Sequence, residues 1–199
     1  MRKFLLFAFL MFSLFSFSEM YSIKIGETLL GTSVLNEKGD VYTTKTIIDY
    51  GMLYTIDSTT VFVDNLFKDY IVTFTVDGSY TGRIIGKYNG KVAKFIFETL
   101  QSSYTYTLNK ENLFIMDNNF VLSHLKRILD FPSPYFNVVI PQLLFNPSKT
   151  EYAVENVSLK KKGEIFELSF RDESIKITYH MGNITRIEYP GHVVVELID

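Results

Sequence analysis

Apolar and polar residues alternate with period two along most of this 199-residue chain, which restricts it to strands with one buried and one wet face. Val72, Phe74 and Val76 alternate with Thr73, Thr75 and Asp77. Tyr104, Tyr106 and Leu108 alternate with Thr105, Thr107 and Asn109. Phe166, Leu168 and Phe170 alternate with Glu167, Ser169 and Arg171, and Ile175, Ile177, Tyr179 and Met181 with Lys176, Thr178 and His180. One-faced strands of this kind suit antiparallel sheet.

The turns set the register. Asn89-Gly90 predicts a two-residue type I′ hairpin with Gly86 opposite Ala93 and Ile84 opposite Phe95. A three-residue loop, Asp77 to Ser79, places Phe74 opposite Gly82 and Val72 opposite Ile84, so that apolar faces coincide. Loops at Gly182 to Ile184 and Pro190 to His192 align Tyr179 with Ile187 and Ile187 with Val195. Gly82 and Gly86, inside a strand, predict curvature or a close approach.

Asp117 to Phe131 departs from this pattern. Asp117 or Asn118 is placed to cap a helix N-terminus, and Val121, Leu122, Leu125, Ile128 and Leu129 form an i, i+3, i+4 stripe. Lys126 and Arg127 lie near the C-terminal end, where they favour the dipole, and Pro132 and Pro134 stop the helix. The expected fold is mainly β: a curved antiparallel meander sheet or half-open β-barrel, with one amphipathic helix on its concave side or open end.

Residues 1–18 read as a signal peptide: Arg2 and Lys3, an apolar run from Phe4 to Phe17, and Ser16 and Ser18 ahead of a cleavage site before Glu19. Residues 19–199 then form a single β-rich domain, with no transmembrane span once the leader is cleaved, in the periplasm or outside the cell. The chain has no cysteine, so neither a lipid-anchoring lipobox nor a disulfide is available to it. The formal charge is −2, and losing Arg2 and Lys3 takes it to about −4, no footprint for nucleic acid. Lys160, Lys161 and Lys162, ahead of Gly163, read as a solvated hairpin tip.

Catalytic signatures are missing. His124, His180 and His192 have no metal-ligand spacing, and the chain contains no GxSxG, P-loop or GxGxxG. Adjacent helical residues diverge by about 100°, so Ser123 and His124 make a poor nucleophile–base pair. The reading is a non-enzyme without metal or cofactor.

The stretches Leu113–Leu125 (Asp-Asn-Asn, then Ser-His) and Val138–Gln142 (Val-Val-Ile-Pro-Gln), with the closing hairpin Ile184–Val195, resemble uncharacterised exported bacterial β-proteins. By architecture these are similar to lipoprotein carriers of the LolA/LolB type. The resemblance covers roughly a third of the mature chain. It implies a periplasmic half-barrel with an apolar cavity and helical lid, and transfers no catalytic residue.

The expected function is therefore binding or carrying a lipid or other hydrophobic small molecule. The candidate lining is Phe74, Ile84, Phe95, Phe97, Tyr104, Tyr106, Leu122, Leu125, Phe166, Leu168, Tyr179 and Ile187, residues that would equally build a packed core. Asp117, Asn118, Asn119, Ser123 and His124 form a junction motif, read first as capping and second as ligand contact. The alternative is a cell-envelope structural or assembly protein whose partner is another envelope protein bound at a surface or edge strand.

Overall fold

The computed structural model describes residues 17–117, 120–145, 153–170 and 172–198. Its strands are β1 (Phe17–Ile25), β2 (Thr28–Lys38), β3 (Val41–Asp49), β4 (Leu53–Val63), β5 (Leu66–Val76), β6 (Ser79–Tyr88), β7 (Val92–Thr99) and β8 (Ser103–Asn109). After these come β9 (Leu113–Ile115), β10 (Tyr135–Val139), β11 (Val154–Lys162), β12 (Ile165–Phe170), β13 (Glu173–His180), β14 (Asn183–Tyr189) and β15 (Val193–Ile198). All belong to one sheet, in the order β8 through β1, then β15 down to β9. Two meanders are thus joined where β1 pairs with β15, and the sheet is not closed into a barrel. Every pairing is antiparallel except β9 with β10.

The two sheet edges are treated differently. All three residues of β9 are buried, β9 packs against β5, and the Leu113 N–H donates to the Tyr88 hydroxyl at 3.3 Å. The sheet therefore curls far enough to tuck this edge inside itself. β8 stays outermost, with its residues alternately exposed and half-buried. The concave side holds one continuous core, with Phe95, Ile84 and Tyr70 from one meander, Ile177, Ile187 and Leu168 from the other, and Phe114, Leu122 and Ile128 between them. Residues 1–16, most of the segment expected to be a signal peptide, lie outside the described residues. Phe17 and Ser18 open β1 opposite Glu37 and Asn36.

Faces follow the expected pattern, while some registers differ. Phe74 lies opposite Gly82, Val72 opposite Ile84 and Ile187 opposite Val195, as the alternation requires. The first of these is achieved by another device: Asp77 and Gly78 both take positive φ in a two-residue turn, and a bulge beside Phe74 absorbs the extra residue. At Asn89 the expected register is corrected, with Gly86 opposite Phe95 and Ile84 opposite Phe97. A type I′ turn needs positive φ at both positions, and here only Gly90 has it. The Asn89 side-chain oxygen instead accepts the N–H groups of Lys91 and Val92, at 3.0 and 2.8 Å, and widens the loop. Tyr179 likewise pairs with Ile184, and Ile187 with Ile177, because Met181 and Gly182 form the turn and a bulge follows Thr178.

The helix is shorter than its apolar stripe suggests. α1 spans Ser123–Leu129, with Leu122 at the N-cap position and no side-chain cap. The expected cap at Asp117 is corrected: Phe120, at φ 61°, breaks the helical path, and the Asp117 carboxylate receives the Tyr70 hydroxyl instead.

Gly86 shows what interior glycine does here. A Cβ there would lie 2.9 Å from the Phe95 ring and 3.3 Å from the Tyr70 ring, its two cross-strand neighbours. Both rings are fully buried, so neither has room to yield. Gly86→Ala is expected to cost about 1–3 kcal/mol of stability by overpacking. An unchanged urea midpoint would show that the rings move aside freely.

Candidate functional site

The residues that cross the concave side are held by a polar stripe on the sheet. Ser33 and Thr46, opposite each other on β2 and β3, share a hydrogen bond of 2.8 Å. Both hydroxyls also reach the Phe120 carbonyl, at 3.3 and 3.4 Å, and so fix the left-handed residue. Thr60 Oγ1 lies 3.3 Å from His124 Nε2, and the Phe62 and Tyr70 rings stand edge-on to the imidazole. His124 is fully buried, and desolvation pushes its pKa down to about 3, so the ring is neutral. Burial, then the neighbouring Asp117, raises the Tyr70 hydroxyl well above its ordinary range. The Gln142 side chain reaches the Tyr70 hydroxyl, and neither of its amide atoms has a hydrogen-bond partner of good geometry among the described residues. Thr44 Oγ1, Ser58 Oγ and Ser123 Oγ are buried with no hydrogen-bond partner among the described residues.

The strand registers place two different environments at opposite ends of this concavity. Near the Phe17 end of β1, Lys126 of α1 meets Glu19 at 2.7 Å and Glu37 at 3.6 Å. Glu19 also accepts the Tyr21 hydroxyl at 2.5 Å, and the Asn183 amide at 2.9 Å when that amide is turned to donate. Arg127 lies over the rings of Tyr42 and Phe62 and donates to Asn65 and Asp40. Tyr179 donates to Asp130 at 3.4 Å, and burial together with Asp130 pushes its hydroxyl up to about 12. This end is closed by paired charges.

Near the Ile25 end of β1, where β14 hands over to β15, lies a pocket of about 400 Å³. Met116, Ile140, Ile175 and Val193 supply aliphatic lining, and Phe120, Phe170 and Tyr189 supply rings. Phe120 and Tyr189 meet edge to face at 5.5 Å. Two carboxylates belong to the lining: Asp117, which is buried, and Glu173, which with Pro190 forms its exposed side. Burial and then Asp117 raise the Tyr189 hydroxyl above its ordinary range, so it is an uncharged donor at neutral pH. The volume and the apolar lining with few polar groups suit a small hydrophobic molecule. A wider groove of about 560 Å³ along β10–β12 has a mixed lining that includes Tyr135, Asn137, Asn156, Ser158 and Ser169, and it encloses less apolar surface.

The structure separates the residues expected to line a cavity from this pocket. Ile84, Phe95, Phe97, Leu122, Leu125, Phe166, Leu168 and Ile187 are buried, and Phe74, Tyr104, Tyr106 and Tyr179 pack against them half-buried. All twelve belong to the one core, and none borders the pocket. Of the junction motif, Asp117 lines the pocket, Ser123 and His124 are buried at the start of α1, and Asn118 and Asn119 lie outside the described residues. Of the pocket lining, sequence reasoning nominated Asp117 alone and missed the rest, Phe120, Ile140, Tyr189 and Val193 among them. The available signal was the trio of stretches that carried the resemblance, since each contributes to the pocket. His180 pairs with Glu164 at 2.5 Å on the wet face, and His192 sits in the Pro190–His192 turn, both apart from the buried His124. Among the described residues, no helix is long and apolar enough to cross a membrane. No family model matches the chain, and neither a curated protein nor a solved structure matches it significantly.

Proposed function

We propose that this is an exported, periplasmic protein that binds or carries a lipid or other small hydrophobic molecule without chemical turnover. The observation that carries the reading is the pocket at the Ile25 end of the curl. Seven of its residues present aliphatic or aromatic side chains beside one buried carboxylate, Asp117, at the open end of a sheet whose other end is closed by charge pairs. The resemblance to lipoprotein carriers of the LolA/LolB type points the same way. We assign the ligand to the pocket rather than to the core residues around α1, because those pack against one another.

Titration with N-phenyl-1-naphthylamine tests the site. Val193, half-buried in the lining, can be enlarged with little strain on the core. Val193→Trp is expected to weaken uptake of the probe by about tenfold or more, whereas Phe97→Leu, in the packed core, leaves uptake unchanged. Equal uptake by wild type and Val193→Trp, with both folded by circular dichroism, would remove the pocket from the account. The outer edge at β8, left without a neighbouring strand among the described residues, favours a second reading, assembly through protein–protein contacts.

A further inference from the structure

Strand β8 reads Ser-Tyr-Thr-Tyr-Thr-Leu-Asn and ends the sheet. Natural edge strands are blunted by lysine, proline, bulges or a covering element. β8 has no charge and no proline, its pairing with β7 is unbroken by a bulge, and among the described residues no strand covers its outer side. The opposite edge, β9, is the one the fold hides.

Ladder parity shows what this edge offers. The Thr99 N–H donates to the Ser102 carbonyl at 2.8 Å, and the Lys110 N–H to the Lys91 carbonyl at 2.9 Å. In an antiparallel pair, hydrogen-bonded and non-hydrogen-bonded positions alternate. Tyr104, Tyr106 and Leu108, opposite Phe97, Phe95 and Ala93, therefore bond inward to β7. Ser103, Thr105, Thr107 and Asn109 are left with N–H and C=O directed away from the sheet, and all four are exposed.

We propose that this edge docks a second copy of the same chain, β8 against β8 in antiparallel register, about a two-fold axis through Tyr106. The strand is self-complementary in that register. Thr105 meets the second copy's Thr107, Ser103 meets Asn109, and these outward groups form about eight backbone hydrogen bonds. On the inner face Tyr106 meets its own copy and Tyr104 meets Leu108, aromatic and aliphatic pairs that stabilise sheets. The flanking charges do not collide, because Lys110 falls opposite Ser102 and Glu111 opposite Gln101. A two-fold pairing of this kind closes on itself, so the product is a dimer rather than a fibre. The inference stands apart from the pocket, which lies at the β14–β15 turn.

The absence of cysteine makes a direct test available. Tyr106→Cys places two sulfurs across a non-hydrogen-bonded pair, about 4.5 Å between Cα atoms and within disulfide range. Under mild oxidation it is expected to cross-link as a dimer, whereas Tyr104→Cys, facing Leu108, does not. Light scattering is expected to show a wild-type dimer and a monomer for Thr107→Pro. That substitution removes only an outward N–H, so pairing with β7 and the fold survive it. Monomeric wild type at high protein concentration would overturn the proposal. So would a dimer that persists in Thr107→Pro and forms no disulfide at position 106, since its interface would lie elsewhere.

Discussion

Lys126→Ala is expected to lower the stability of the protein by about 3–5 kcal/mol, far more than loss of a surface ion pair. The lysine side chain is 8% exposed and its partner Glu19 12% exposed, so neither charge has water to fall back on. Removing the ammonium leaves the Glu19 carboxylate in the curl with, among the described residues, the neutral donors Tyr21 and Asn183, and leaves Glu37 nearby with like charge. Lys126→Met, which keeps the aliphatic stem, is expected to lose nearly as much, and this separates charge from packing. Combining Lys126→Met with Glu19→Gln is expected to recover most of the loss, because the penalty lies in the uncompensated charge. Urea denaturation of the four proteins measures this directly. A loss below about 1 kcal/mol for both single variants would mean that the pair is solvated and does not close that end of the curl.

Acid lability is the second large effect, and it belongs to His124. The folded protein holds this imidazole neutral down to about pH 3, whereas in the unfolded chain it titrates near its ordinary value of 6.5. Between these values the unfolded state binds the extra proton, so stability is fully present above pH 6.5 and is lost progressively as the pH falls toward 3. The groups facing the ring are the Thr60 hydroxyl and the rings of Phe62 and Tyr70, none of which carries charge to stabilise an imidazolium. His124→Gln is expected to be less stable at neutral pH, with a much shallower acid limb. The difference between the two proteins should shrink by a few kcal/mol between pH 7 and pH 4. Parallel stability curves would show that the ring is already solvated in the native state.

Faces were readable in the chain because period-two alternation is a local property, while registers were only partly readable. At Asp77-Gly78 a one-residue slip would have turned Phe74 to the wrong face, and that constraint selected the observed pairing. At Asn89, and beyond the bulge that follows Thr178 in the Gly182 hairpin, the error was a slip of two, which leaves every side chain on its own face and is invisible to alternation. The helix looked longer than α1 because Val121 and Leu122 extend its stripe while already belonging to the irregular crossing segment. Nothing in the residue order announces that Phe120 takes φ 61°; the Ser33 and Thr46 hydroxyls, far away in sequence, hold it there. The pocket was the least legible feature. Met116, Ile140, Phe170, Ile175, Tyr189 and Val193 come from four separate stretches and converge only because the sheet curls. The twelve nominated residues, ten from strand faces and Leu122 and Leu125 from the helix stripe, were the ones that the same curl packs into the core.

Native mass spectrometry on protein purified from its own cells without detergent, with solvent extraction of whatever is bound, tests the hydrophobic-ligand reading most directly. One apolar molecule for each chain is expected, absent from Val193→Trp. Protein that is ligand-free as isolated and takes up neither added lipid nor N-phenyl-1-naphthylamine would contradict it.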